Sequence, residues 1–155
     1  RPVFCVAERA HRDRDRAEDA CAGRFTHAGL TLDLGPEPDW LGRLASGLAA
    51  GHPDLGSVAD ELEKQSPELW IDTLQRFTVD LILAASGASV RYFPMLAAQT
   101  GVVARAGSAA LLSDTGKWLT QQRAVAGHPL NAKLFVHSVL QRVALACQPE
   151  ASANA

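Results

Sequence analysis

The stretch SPELWIDTLQRFTVDLILAASG, residues 66–87, decides the fold of this chain. Ser66 and Pro67 predict a helix start, because serine can cap free amides and proline is favoured in the first helical turn. Apolar side chains then recur at alternating spacings of four and three residues, which places them on one face of an α-helix. These side chains are Trp70, Leu74, Phe77, Leu81 and Ala84. Gly87 is predicted to end the helix.

Two shorter helices are predicted upstream of this stretch. Asp39 is expected to cap the first, and Gly51 with Pro53 to end it. Its apolar positions are Trp40, Leu41, Leu44 and Leu48. Asp54 or Ser57 is expected to start the second, with Val58 and Leu62 on its apolar face.

Three further helices are predicted downstream, roughly over Met95–Ala106, Ser108–Ala126 and Leu130–Cys147. The glycines at 107 and 127 and the proline at 129 separate them. In the second of the three, the side chains expected to face inward are Leu111, Leu112, Trp118, Leu119, Gln122 and Val125. In the third they are Leu134, Phe135, Val139, Leu140 and Val143.

This series of amphipathic segments predicts an all-α fold, a five- or six-helix bundle with an irregular N-terminal segment. We expect three regions: an irregular segment over residues 1–38, a helical domain over 39–147 and a disordered tail over 148–155. The length of 155 residues and the 47% of hydrophobic residues suit one domain with a core.

The first 38 residues differ from the rest. A run of alternating charges from Glu8 to Asp19 indicates a solvated helix, or else an interaction arm. Residues 25–34 alternate apolar and polar side chains as a strand does, but no partner strand is evident, so we expect an irregular segment there. Because the chain lacks an initiator methionine, we also expect it to be a fragment or a processed product.

Composition argues against several classes of function. Fifteen basic and seventeen acidic residues give a net charge of −2, so no overall field attracts nucleic acid. No apolar run approaches the roughly 18 residues that cross a bilayer. Three widely spaced cysteines predict neither a disulfide framework nor a metal site, and idle thiols in a reducing cytosol explain them. We therefore expect a cytoplasmic protein without membrane or sequence-specific nucleic-acid contacts.

No catalytic, cofactor-binding or metal-binding residues are predicted. The segment Asp114-Thr115-Gly116-Lys117 contains a Gly-Lys pair but lacks the glycine spacing of a phosphate-binding loop. The five histidines share no spacing that would place two on one helical face. Asp72 and Asp80, about 12 Å apart by helical rise, are too distant to act as a carboxylate pair.

Three segments resemble the C-terminal collar domain of the delta-prime subunit of bacterial DNA polymerase III. They are WIDTLQRF at residues 70–77, VRYFP at 90–94 and GHPLNAKLFV at 127–136. Their order and spacing match a long aromatic helix, an "RYFP" connector and an "HPLN" turn into the final helix. The resemblance covers about Asp39 to Ala146.

The resemblance implies a clamp-loader subunit whose collar domain joins those of other subunits in DNA replication, without ATPase activity in this chain. Residues 1–38 would then be the remnant of a lid module that follows an AAA+ ATPase core. We expect the interface and structural residues to be Trp70, Phe77, Arg91, Tyr92, Phe93, Pro94, Trp118, His128, Pro129, Asn131 and Phe135. Independently of the family, Asn131 can cap a helix and the rings of Tyr92 and Phe93 can fill a seam between helices.

Two alternatives remain open. The segment from Gly23-Arg24-Phe25-Thr26 to Leu34-Gly35, with Trp40 beyond, also resembles the leader region of heparinase II/III-like polysaccharide lyases. That resemblance implies the helical N-terminal fragment of an enzyme on acidic sugars, with Tyr92 and Arg91 as its candidate residues. The other alternative is a helical interaction domain of unrelated ancestry.

Overall fold

The computed structural model describes residues 25–27, 30–32, 36–127 and 131–149, and it divides the chain into two compact units, Arg1–Pro36 and Glu37–Ala155. The predicted charged helix over Glu8–Asp19 lies outside the described residues. Residues 150–155 of the predicted tail also lie outside the described residues.

The described part of the first unit consists of two short antiparallel strands. Strand β1 spans Phe25–His27 and β2 spans Leu30–Leu32, with Phe25 opposite Leu32 and His27 opposite Leu30. The expectation that a strand in this stretch has no partner was therefore wrong. Two residues, Ala28-Gly29, separate the strands in the sequence, and this spacing is typical of a hairpin.

The described part of the second unit is helical, and the predicted all-α bundle is confirmed with six α-helices among the described residues. They are α1 Asp39–Ala50, α2 Leu55–Leu62, α3 Pro67–Ala85, α4 Ala97–Ala106, α5 Ala109–Val125 and α6 Ala132–Ala146. A short 3₁₀ turn, Pro94–Leu96, leads directly into α4.

The helix ends follow local chemistry. The side chain of Asp54 caps α2 by accepting a hydrogen bond from the backbone N–H of Ser57 at 3.1 Å, and Pro67 occupies the first turn of α3. Gly51 and Gly87 adopt the left-handed conformation after α1 and α3, where a side chain would be strained. The prediction for Asp39 was wrong by one position, because Pro38 precedes the helix and Asp39 lies in its first turn.

Helix α3 lies at the centre of the packing. It contacts α4 and α5, while α1 packs on α4 and α2, and α6 packs on α2 and α5. The predicted stripe on α3 forms the core, since Trp70, Leu74, Phe77 and Leu81 are all at most 1% exposed. The core also contains side chains of α6 and α5, namely Leu140, Val143, Leu112 and Leu119.

Three side chains that were predicted to face inward lie on the surface instead. Leu111 and Val125 of α5 and Leu134 of α6 are 44%, 56% and 67% exposed. Helical periodicity identifies an apolar stripe, but it does not say which apolar positions find a neighbour. This outward placement bears directly on function.

Candidate assembly surface

The VRYFP connector is fixed by a buried carboxylate on α3. Asp80 has no exposed surface, and its two oxygens accept hydrogen bonds from three successive backbone N–H groups. The donors are Arg91 at 2.7 Å, Tyr92 at 3.0 and 3.1 Å and Phe93 at 2.8 Å. The three amides replace the water that the carboxylate loses on burial. Because they belong to successive residues, this contact sets the path of the chain between α3 and α4.

The aromatic residues of the connector take up different environments. Phe93 is buried in the core, as predicted, whereas Tyr92 is half-buried and Pro94 is exposed at the start of the 3₁₀ turn. The guanidinium groups of Arg76 and Arg91 lie 5.9 and 5.8 Å from the centre of the Tyr92 ring. Tyr92 therefore joins the connector to the surface of α3 through cation–π contacts.

A polar network joins α3 to α5 beside this connector. Asp72 forms an ion pair with Arg76 at 2.7 Å and with Arg123 at 3.0 Å, and Gln75 donates a hydrogen bond to Thr120 at 3.0 Å. Asp80, on the same helix, has different partners, the amides of the connector. These contacts set the register of two antiparallel helices.

The aromatic residues predicted on α3 and α6 meet in the core. Trp70 and Phe77 are buried, and the half-buried Phe135 ring lies 5.7 Å from the Trp70 ring at an angle of 52°. The indole N–H of Trp70 is buried without a hydrogen-bond partner among the described residues. Trp70 and Phe77 are therefore structural, and Phe135 packs on Trp70 while part of its own surface stays exposed.

The start of α6 confirms the predicted cap. The side-chain oxygen of Asn131 accepts a hydrogen bond from the backbone N–H of Leu134 at 3.1 Å. His128 and Pro129, the other two residues predicted at this turn, lie outside the described residues. The cap places Leu134 on the outer face of the first turn of α6.

The last two helices carry exposed apolar side chains. Of the eight large hydrophobic side chains that are exposed in the described part of the chain, four lie on α5 and α6. Leu111, the half-buried Trp118 and Val125 are spaced by seven residues on α5, so they share one face of that helix. Leu134 and Leu145 are separated by eleven residues, three helical turns, and share one face of α6.

We call this surface the α5–α6 stripe and define it by Leu111, Trp118, Val125, Leu134 and Leu145. At one end it borders a groove of about 410 Å³ between the two helices. The groove is lined by Leu111, Asp114, Thr115, Ser138, Gln141, Arg142, Leu145 and Ala146. Exposed apolar side chains beside a groove with polar residues in its lining are typical of a protein contact site.

Arg142 connects the groove to the stripe. Its guanidinium lies 4.9 Å from the centre of the Trp118 ring. No carboxylate in the described ranges lies within ion-pair distance of it, whereas Arg123 and Lys133 pair with Asp72 and Asp60. Trp118 was predicted as an interface residue on the inward face, and it lies half-buried at the edge of the surface.

Neither a metal cluster nor a single membrane-spanning helix occurs among the described residues. No three His, Cys, Asp or Glu side chains among them come together as a metal site would require. Within the same residues, no single helix is long and apolar enough to span a membrane. One pair, Pro94–Ala106 with Ala109–Val125, reaches that length and composition only with a bend of 113°.

Sequence reasoning missed Arg142, the groove and the contact of Asp80 with the connector. Asp80 could have been noticed, because it lies on the apolar face of α3 between Phe77 and Leu81, where an unpaired carboxylate is costly. Its amide partners, eleven to thirteen residues later, leave no periodic signal. The contact of Arg142 with Trp118 depends on the packing of two helices and has no signal in the sequence either.

The chain was compared with protein-family models, with curated proteins and with solved structures, and none of the three comparisons gave a match.

Proposed function

We propose that this chain is a non-catalytic assembly domain of a clamp-loader subunit of the delta-prime type. In this role it acts in the cytoplasm during DNA replication by contacting other clamp-loader subunits. It binds no cofactor and makes no sequence-specific contact with DNA. The observation that supports an assembly role is the α5–α6 stripe, an apolar surface that the bundle leaves uncovered.

The choice of complex is supported by the resemblance of three segments to the delta-prime collar. Two of these segments have clear structural roles in the bundle. Arg91, Tyr92 and Phe93 of the connector bind Asp80, and Asn131 of the final turn caps α6. Such contacts make a rigid scaffold, and a rigid scaffold lowers the entropic cost of holding several neighbours at once.

The test is size-exclusion chromatography of the purified chain with the clamp-loader subunits of its source organism, singly and together. We expect the chain to co-elute with at least one subunit at micromolar concentrations, since a specific interface buries roughly 1,200 Å² or more in total. Serum albumin serves as the unrelated control protein. Elution of the chain at its own volume in every mixture would contradict the proposal.

A further inference from the structure

We propose that the α5–α6 stripe is the docking site of one acidic amphipathic α-helix from a partner protein, oriented by Arg142. The inference rests on the assembly role proposed above, but it does not depend on the clamp loader being the partner. It assigns the surface, the shape of the occupant and the sign of its charge.

The shape follows from the spacing of the exposed side chains. Two neighbouring helices present a groove between them, and a third helix fits such a groove with its apolar residues at spacings of three, four and seven. Leu111 and Leu145 flank the groove, while Thr115 and Ala146 in its lining are buried and small. The small residues at the bottom of the groove leave room between the two leucines for a side chain of a partner. A helix with leucines on one face would supply such side chains.

The sign of the charge follows from Arg142. Its guanidinium stacks on Trp118 beside the groove, and no carboxylate of the described chain lies within ion-pair distance of it. The one carboxylate in the lining of the groove, Asp114, pairs with Lys117 instead. Lys117 has a single carboxylate partner there, Asp114, at 3.7 Å. A partner carboxylate placed beside Arg142 would therefore form a charge-assisted contact on a surface that is already partly apolar.

A second copy of this chain fits the surface less well. Residues 109–147 carry four basic side chains, Lys117, Arg123, Lys133 and Arg142, against one acidic side chain, Asp114. Lys117, Arg123 and Lys133 each pair with a carboxylate of the described chain, but Arg142 does not. In a two-fold dimer the same surface of the second copy would offer Arg142 no unpaired carboxylate. An acidic helix would supply that carboxylate.

The test uses two labelled probe peptides of about 18 residues, long enough for a helical repeat pattern of five turns. Both carry leucines at spacings of three and four. One has glutamates flanking the leucine face, and the other has lysines at the same positions. Fluorescence anisotropy measures the binding of each to the full chain.

We expect the glutamate peptide to bind at least about tenfold more tightly than the lysine peptide, and Arg142→Glu to abolish that preference. Leu134→Glu with Leu145→Glu should weaken binding by at least about tenfold. Met95→Glu is the control, because Met95 is 81% exposed and lies on the 3₁₀ turn rather than on α5 or α6. Circular dichroism checks that each variant keeps its helix content.

Three outcomes would overturn the inference: no binding of the glutamate peptide at up to millimolar concentration, equal binding of both peptides, or binding that the stripe variants leave unchanged. Sedimentation velocity that shows a dimer abolished by Leu134→Glu would assign the surface to a second copy instead and would also overturn it. If the peptide binds but the clamp-loader subunits do not co-elute, the docking surface stands and the proposed complex fails.

Discussion

The carboxylate of Asp80, in the C-terminal half of α3, accepts a hydrogen bond of 2.8 Å from the backbone N–H of Phe93. The same carboxylate binds the N–H groups of Arg91 and Tyr92, so one buried side chain orients the whole turn that leads into α4. Phe93 can then enter the core while Tyr92 stays at the surface. The connector is thus shaped by a tertiary contact rather than by its own sequence.

Asp80→Asn should destabilise the domain by about 2–3 kcal/mol, because an amide nitrogen would replace one acceptor oxygen and face backbone donors. Urea unfolding followed by circular dichroism measures the free energy of unfolding. Asp114→Asn is the matched control, since Asp114 is exposed and its pair with Lys117 is long at 3.7 Å, and we expect a change below about 0.5 kcal/mol. Equal stability of the two variants would show that the Asp80 contact does not order the connector.

Leu74 and Leu69 lie on the same helix and differ in burial. Leu74 has no exposed surface and Leu69 is 67% exposed. Leu74→Ala should cost about 2–5 kcal/mol through lost contacts and a residual cavity, whereas Leu69→Ala should change stability by less than about 0.5 kcal/mol. Thermal and urea unfolding of both variants check this, and a comparable loss in both would contradict the assigned orientation of α3.

Two helical glycines should respond in opposite directions to alanine. At Gly101 an added Cβ would meet nothing closer than the Arg105 side chain at 3.6 Å, so Gly101→Ala should stabilise the domain by about 0.5–1 kcal/mol. At Gly47 it would lie 2.8 Å from the Cα of Pro53, so Gly47→Ala should be destabilising. Denaturant midpoints of the two variants measure the difference, and stabilisation by both would show that α1 and the Pro53 turn are less close than described.

Burial raises the pKa of the Cys147 thiol from 9.0 to about 12. Above pH 9 the unfolded chain loses the thiol proton while the folded chain keeps it, so the free energy of unfolding should fall as pH rises from 9 towards 12. The slope from this group approaches about 1.4 kcal/mol per pH unit. Urea unfolding between pH 8 and 10.5 should show this slope in the wild type, in excess of that in Cys147→Ala. Parallel pH profiles would contradict the burial of the thiol.

Much of the fold could be predicted from local signals. Asp54, Pro67 and Asn131 mark helix starts because capping and first-turn geometry involve only neighbouring residues. The stripe from Trp70 to Leu81 was correctly assigned to the core. These features need no knowledge of what packs against them.

The orientation of α5 and the start of α6 could not be predicted in the same way. Leu111, Val125 and Leu134 fit the helical period as well as the buried residues do, yet the bundle has no neighbour for them. Apolar positions that face a partner and those that face the core look alike in one sequence. The wrong inward assignment of these three residues is what marks the surface as a candidate for assembly.

The central claim is that this domain assembles with clamp-loader subunits through the α5–α6 stripe. The most direct measurement is sedimentation velocity of labelled wild-type chain, of Leu134→Glu and of the control Met95→Glu with those subunits. The account predicts a faster-sedimenting complex for the wild type and the control, and free chain for Leu134→Glu. Free chain in all three mixtures, or a complex that Leu134→Glu leaves intact, would contradict it.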